Sequence, residues 1–285
     1  MYPGRFEYHS PGTLDEALST LDRYGDDAKL LAGGQSLIPL MKLRFAMPAA
    51  LVDINRIEGL DGLSEEGGEL RIGALVRHRT CERSELLRGR WGVLGDAAPQ
   101  ISDPIVRNSG TVAGSLAHAD PQGDWGSALL AADARVVVQR SGGRREISLE
   151  DFLLGPFTTA LEPEEMVTEV RVPDPGPRAA GTYLKLERRV GDFATVGVAV
   201  HLSFDNGTVR RSGIALTAVG PRNLRAHAAE AALDGQPLDD DRIREAARLA
   251  AEEAQPRDDA RGSADYKRNV VRVFVERGLR KAREG

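Results

Sequence analysis

The residues best suited to hold a ligand lie between Arg107 and Asp124, where Gly110, Thr111, Ala113, Gly114 and Ser115 gather small and hydroxyl-bearing side chains before the acids Asp120 and Asp124. Such a run presents bare backbone N–H groups to an anion. Asp120-Pro121 reads as an N-cap followed by proline at the first helical position, leading into Trp125, Ala128, Leu129 and Ala131. A helix is therefore expected from about Pro121, with Asp124 in its first turn. Upstream, the strand-like Ala28 to Ala32 breaks into Gly33-Gly34-Gln35-Ser36, and a short helical pattern runs from Pro39 to Arg44. Strand, glycine loop and helix in that order bring amides to a phosphate. Two such loops in one chain suit a diphosphate held from both sides. Neither loop is a Walker or a Rossmann signature, so a dinucleotide would need another fold.

Other chemistry is poorly supported. His118, Asp120 and Asp124 are close in sequence but lack the paired spacing and cysteine partners of a zinc site, so no metal is expected. The single cysteine, Cys81, cannot form an internal disulfide or hold an iron–sulfur cluster, which must then sit on another chain. Its neighbours Arg79 and Arg83 raise the thought of a low-pKa thiol, although a bystander is the simpler reading. A net charge of −5 gives no basis for nucleic-acid binding. Neither a membrane-length apolar run nor a signal-peptide segment after Met1 is seen, so a cytoplasmic protein is expected.

The elements that must position the loops can be read in order. Phe6 to Tyr8 is a strand, Thr13 to Glu16 a capping box opening a helix that Gly25 ends, and Ala28 to Ala32 and Leu51 to Ile54 are buried strands. Ser64 to Glu69 is a hairpin or connection, Leu70 to Ala74 a strand and Trp91 to Ala98 a helix. Ala134 to Gln139 pairs with Glu146 to Ser148 around Ser141-Gly142-Gly143, and Glu165 to Val172 closes this unit. Pro173 to Pro177 can continue neither strand nor helix, so the main boundary is placed there. Thr182 to Glu187, Ala194 to Phe204 and Val209 to Val219 read as three strands, the last two joined at Asp205-Asn206-Gly207. Helices follow at Arg225 to Leu233, Asp240 to Glu253 and Ala264 to Lys281. The expected units are 1–55, 56–176 and 177–285.

Three segments carry a family resemblance: Ala32-Gly33-Gly34-Gln35-Ser36, then Thr111-Val112-Ala113-Gly114-Ser115-Leu116-Ala117-His118-Ala119-Asp120-Pro121, then Gly191-Asp192-Phe193-Ala194. In order and spacing the chain resembles the FAD-binding medium subunit of the molybdenum hydroxylases, the family of carbon monoxide dehydrogenase and xanthine dehydrogenase. Two positions depart: many relatives carry glycine where this chain has Ala113, and Gln35 stands where carbon monoxide dehydrogenases have histidine. The resemblance implies an α+β chain, an FAD-binding PCMH-type fold of two α/β subdomains followed by a C-terminal antiparallel sheet with a helix cluster. It implies noncovalent FAD with its diphosphate between Ala32–Ser36 and Thr111–Ser115. Asp124 would contact the adenosine end, and Ile101 would lie on adenine. Val167 would pack on the isoalloxazine, with Lys185 at its polar edge and Phe193 as a gate or stacking residue. Covalent attachment through His78 is not implied.

The resemblance further implies a large molybdenum subunit with molybdopterin and a small subunit with [2Fe–2S] clusters as partners, in a dimer of heterotrimers. The flavin chain would take electrons from the clusters and pass them to NAD, a quinone or dioxygen. Without it, Ile101, Val167 and Phe193 would count as core residues, Asp120 as a cap, Asp124 as a helix-dipole acid and Lys185 as a solvated strand lysine. Two other readings stay open: a stand-alone FAD-dependent enzyme oxidising a small organic molecule, and a non-enzymatic nucleotide-binding module.

Overall fold

The computed structural model describes residues 2–176 and 178–284. Near the N-terminus a capping box at Thr13 and Glu16 starts the helix Leu14–Tyr24, whose buried Ala17, Leu18 and Leu21 pack toward a three-stranded parallel sheet. Ala50–Asp53 is its central strand, between Glu7–His9 and Ala28–Leu31. The chain leaves Leu31 directly into the first glycine loop, so the sheet sets that loop's position.

The second unit is a five-stranded antiparallel sheet in the order Leu63–Glu66, Glu69–Gly73, Met166–Val172, Arg135–Arg140, Gly143–Ser148. Short helices cover it, among them Val112–His118, which packs on Met166–Val172. The third unit is a four-stranded antiparallel sheet of Ala179–Leu186, Val196–Asp205, Thr208–Thr217 and Leu224–Arg225. Its central strands meet at Asn206 and Gly207 with φ of 48° and 85°, the left-handed pair of a tight hairpin turn. Strand periodicity divides the core: Val196, Val198, Val200 and Leu202 face the helices Asp240–Glu253 and Ala264–Glu284, while Ala199, with Tyr183 and Ala215, joins the main core. The helix Asp124–Ala131 lies against this sheet, so close that a Cβ on Gly213 would meet the carbonyl of Ala131.

Three expectations are corrected. The helix expected from Pro121 begins at Asp124, because Ala119 turns left-handed (φ 49°) to end Val112–His118 and Asp120 then accepts the Gln122 N–H in a local turn. Pro39 sits inside the helix Leu37–Lys42, not at its start. The C-terminal sheet has a fourth strand, since Leu224–Arg225 pairs with Ala215 and Leu216, and the following helix shortens to His227–Ala231.

Two buried histidines tie stability to pH. Burial, with Arg107 and Arg77 adding to it, holds His78 at about 4, and burial with Arg211 does the same for His201. Unfolding returns both to about 6.5. Their folded values being depressed, each contributes stability that is complete above pH 6.5 and lost as pH falls through about 4. The loss is on the order of 3 kcal/mol each. Urea unfolding at pH 7 and pH 4.5 will show the drop, and His201→Val will roughly halve it.

Candidate functional site

Two main-chain loops meet at the centre of the site. Gly33 is pressed so closely on the second loop that a Cβ there would lie 2.3 Å from the Ser109 carbonyl oxygen and 2.7 Å from the Gly110 Cα. Gly34 has φ 69°, a conformation that favours glycine. Ser36 precedes the helix Leu37–Lys42 without capping it through its side chain. The amides of Gly33, Gly34, Gln35 and Ser36 have no acceptor among the described residues. N–H groups left in this state are free to donate to a ligand acceptor.

The second loop is more regular than the sequence indicated. Thr111 caps the helix Val112–His118, its hydroxyl accepting from the Gly114 N–H at 3.1 Å, and Val112 donates to the Val76 carbonyl at 3.1 Å. Thr111, Val112 and Ala113 are buried, Gly114 is exposed and Ser115 is half-buried. Ala113 therefore has a negative helical φ and turns its methyl into the core. It does not narrow the approach to the loop. Ala113→Gly will leave ligand affinity within about twofold and cost about 1–2 kcal/mol of stability, from glycine in a helix and the lost buried methyl together. Parallel ligand titration and thermal unfolding check both.

Asp124, Tyr183 and Lys185 form one buried cluster. Lys185 donates to Asp124 at 2.9 Å and to the Gln100 carbonyl at 2.9 Å, with Glu187 at 3.4 Å. Tyr183 donates to the other Asp124 oxygen at 2.7 Å and contacts Thr217 at 3.2 Å. Burial raises the Asp124 carboxyl above its usual range, opposed by Lys185 and the Tyr183 hydroxyl; burial and the Asp124 charge push Tyr183 up. Asp124 and Lys185 are thus a contact pair. Lys185 is not a solvated strand lysine, its side chain being 1% exposed.

Ile101 is half-buried against the main core, next to Gln100. Gly191 (φ 85°) packs on the Ser102 backbone. This brings the loop bearing Phe193 to the same segment. Asp192 is bonded to Arg188 and Arg261, and Arg261 also donates to the Phe193 carbonyl, leaving the Phe193 ring 51% exposed. Val167 is buried at a bulge in Met166–Val172, the strand that packs on Val112–His118. Cys81 is buried and its thiol pushed up to about 12, which overturns the low-pKa possibility. His78 accepts from the Trp125 indole at 2.9 Å and faces Gly110, a structural position.

Sequence reasoning missed Tyr183 and Thr217 in the cluster, and Asn55 and Arg77 beside the loops. The signal for Tyr183 was present: it lies two residues before Lys185, on the same face of one strand.

Two main-chain loops meeting on an α+β framework without a Rossmann turn define a class of site suited to an extended anionic ligand. Residues 4–175 match the FAD binding domain in molybdopterin dehydrogenase, and residues 181–282 the CO dehydrogenase flavoprotein C-terminal domain. The chain belongs to the family of FAD-binding medium subunits of the molybdenum hydroxylases. It is 42% identical over 282 residues to the carbon monoxide dehydrogenase medium chain of Hydrogenophaga pseudoflava, covering 99% of this chain and 98% of that one. It is 38% identical to the 6-hydroxypseudooxynicotine dehydrogenase complex subunit alpha of Paenarthrobacter nicotinovorans, covering 99% and 96%. The solved carbon monoxide dehydrogenase from Hydrogenophaga pseudoflava, which lacks the Mo-pyranopterin moiety, superposes with TM-score 0.95 at 44% identity, over 99% of this chain and 98% of that one. Quinoline 2-oxidoreductase from Pseudomonas putida 86 gives 0.92 at 33% identity, over 100% and 99%.

Proposed function

We propose that the N–H groups of Gly33–Ser36 hold the FAD diphosphate, with the helix start at Thr111–Ser115 lining its other side, in the flavin subunit of a three-part molybdenum hydroxylase. The observation that carries this is the backbone contact between Gly33 and Ser109, which sets four amides without acceptors against a capped helix start. These residues fit an anion with no bulky side chain in the way. Asp124 and Lys185 act as one buried pair at the isoalloxazine end, Ile101 and Val167 supply apolar surface, and Phe193 covers an open side. Bound FAD supplies one- and two-electron redox chemistry, so no side chain need act as nucleophile or general base.

The exposed Leu43, Phe45 and Met47 on one connection favour a chain docked to partners over a free-standing enzyme. We infer a small [2Fe–2S] subunit as electron donor, a large molybdenum subunit, a dimer of heterotrimers, and NAD, a quinone or dioxygen as acceptor. No helix among the described residues is long and apolar enough to cross a membrane, in keeping with a cytoplasmic complex. The units 1–55, 56–176 and 177–285 serve as the working division. Purification of the tagged chain from its own cells tests the assembly. Molybdenum, iron and flavin in one complex are expected; a chain that purifies alone and reduces its flavin with a small organic substrate would establish the free-standing enzyme instead.

A further inference from the structure

The contact between the loops is held by side chains that line neither of them. Asn55 donates through Nδ2 to the Ala32 carbonyl at 2.9 Å, at the root of the first loop. Its own position is set by Asp53, which accepts from the Asn55 amide at 2.9 Å and from the Tyr8 hydroxyl at 2.6 Å. Arg77 donates from one guanidinium nitrogen to Asn55 Oδ1 at 2.6 Å and from another to the Ser109 carbonyl at 2.6 Å. That carbonyl is the one against which Gly33 is pressed. The main chain around Arg77 is tied to the second loop as well, since the His78 N–H donates to the Gly110 carbonyl and the Val112 N–H to the Val76 carbonyl. A cleft of about 370 Å³ opens beside the pair, lined by Asn55, Arg56, Glu58, Asp61, Arg77 and Thr80 among others. No residue of Ala32–Ser36 or Thr111–Ser115 lines it.

We propose that Asn55 and Arg77 are positioning residues for the flavin. They join the main chain of one loop to that of the other and fix the distance between the free amides of the first loop and the helix start at Thr111, without touching the cofactor. The inference rests on the reading of both loops as the diphosphate site. Guanidinium suits the task because its planar fork reaches two acceptors at once, which an ammonium on a flexible stem does not do in one fixed geometry. Both acceptors are main-chain or amide oxygens, so the pair sets a spacing and does not neutralise a charge. A loop pair held a fraction of an ångström too far apart offers its N–H groups to the diphosphate at weakened hydrogen-bond geometry.

The test uses the full chain stripped of flavin and titrated with FAD, with the thermal midpoint of each stripped form measured alongside. Arg77→Ala and Asn55→Ala should each weaken FAD binding by about tenfold to a hundredfold, the range expected for a lost charge-assisted hydrogen bond. The double variant should be little worse than either single, because both act through one link. Methylguanidinium entering from the cleft should restore binding to Arg77→Ala and not to Asn55→Ala. Arg77→Lys, which reaches one acceptor, should fall between wild type and Arg77→Ala, and it replaces the alanine variant if that fails to fold. Visible circular dichroism of the bound flavin should change in the variants. FAD affinities equal to wild type would overturn the clamp alone. So would additive losses that track the thermal midpoint of the stripped forms, with no rescue. A wild-type chain that binds no FAD would overturn the flavin site and the clamp with it.

Discussion

Gly33→Ala will abolish flavin binding while leaving the chain folded. The substitution adds one methyl group, and the atoms it would meet are the Ser109 carbonyl oxygen at 2.3 Å and the Gly110 Cα at 2.7 Å. Both belong to the main chain, so neither can swing aside as a side chain would. Relief requires the first loop to lift from the second, and Arg77 resists that movement through the same Ser109 carbonyl. The first loop's free amides then no longer sit against the helix start at Thr111 to close on one diphosphate. Losing several charge-assisted contacts at about 1.5–3 kcal/mol each is expected to move FAD affinity by at least a thousandfold. Gly34→Ala is expected to weaken binding for another reason: its φ of 69° and the nearness of the Ile38 side chain strain any Cβ. Equilibrium titration with FAD, with far-ultraviolet circular dichroism to confirm the fold, checks both. A Gly33→Ala chain that binds FAD as tightly as wild type would remove the convergence of the loops from the account.

Lys185→Met is expected to cost the most stability. The ammonium is enclosed by Asp124, Glu187 and the Gln100 carbonyl, and its loss strands a buried carboxylate at Asp124. Breaking a buried pair by removing one partner costs roughly 3–5 kcal/mol, which lowers the unfolding midpoint by about 10 °C in a chain of this size. The deficit depends on pH. Burial already raises Asp124, and Lys185 is the strongest influence holding it down, so the variant raises it further. A carboxyl whose folded value lies above its unfolded value contributes stability below the unfolded value and loses it as pH rises through the folded one. The variant will therefore be closest to wild type in acid and weakest at neutral pH and above. Adding Asp124→Leu should recover much of the loss, because an apolar pair removes the stranded charge. Differential scanning calorimetry at pH 5 and pH 8 reads all three effects, and a midpoint within about 2 °C of wild type at pH 8 would show that the pair is not load-sharing in the way described.

The parts of the molecule legible in the sequence are those written in local chemistry. Thr13 and Glu16 announce a capping box that the structure forms, and Asn206-Gly207 announces the hairpin turn. Hydrophobic spacing gave the helix Asp240–Glu253 at its observed limits. Where a local signal competed with the turn before it, the reading failed. Asp120-Pro121 has the form of a helix start, yet left-handed Ala119 sends those residues into a turn; Asp103-Pro104 has the same form and does start a helix, Pro104–Ser109, that went unread. The glycine loops were legible because small residues at close spacing are themselves the signal. Asn55 and Arg77 were not, because their roles arise from contacts 22 and 32 residues away in the chain, Arg77 with Asn55 and with the Ser109 carbonyl. The Asp124–Lys185 contact, 61 residues apart, is of the same kind.

The most direct measurement is an absorption spectrum of the purified chain, followed by acid release and mass identification of its chromophore. Flavin bands, with free FAD recovered at about one per chain and none left on the protein, are the result expected of a noncovalent site between Ala32–Ser36 and Thr111–Ser115. A colourless chain that also fails to take up added FAD, while remaining folded, would contradict it.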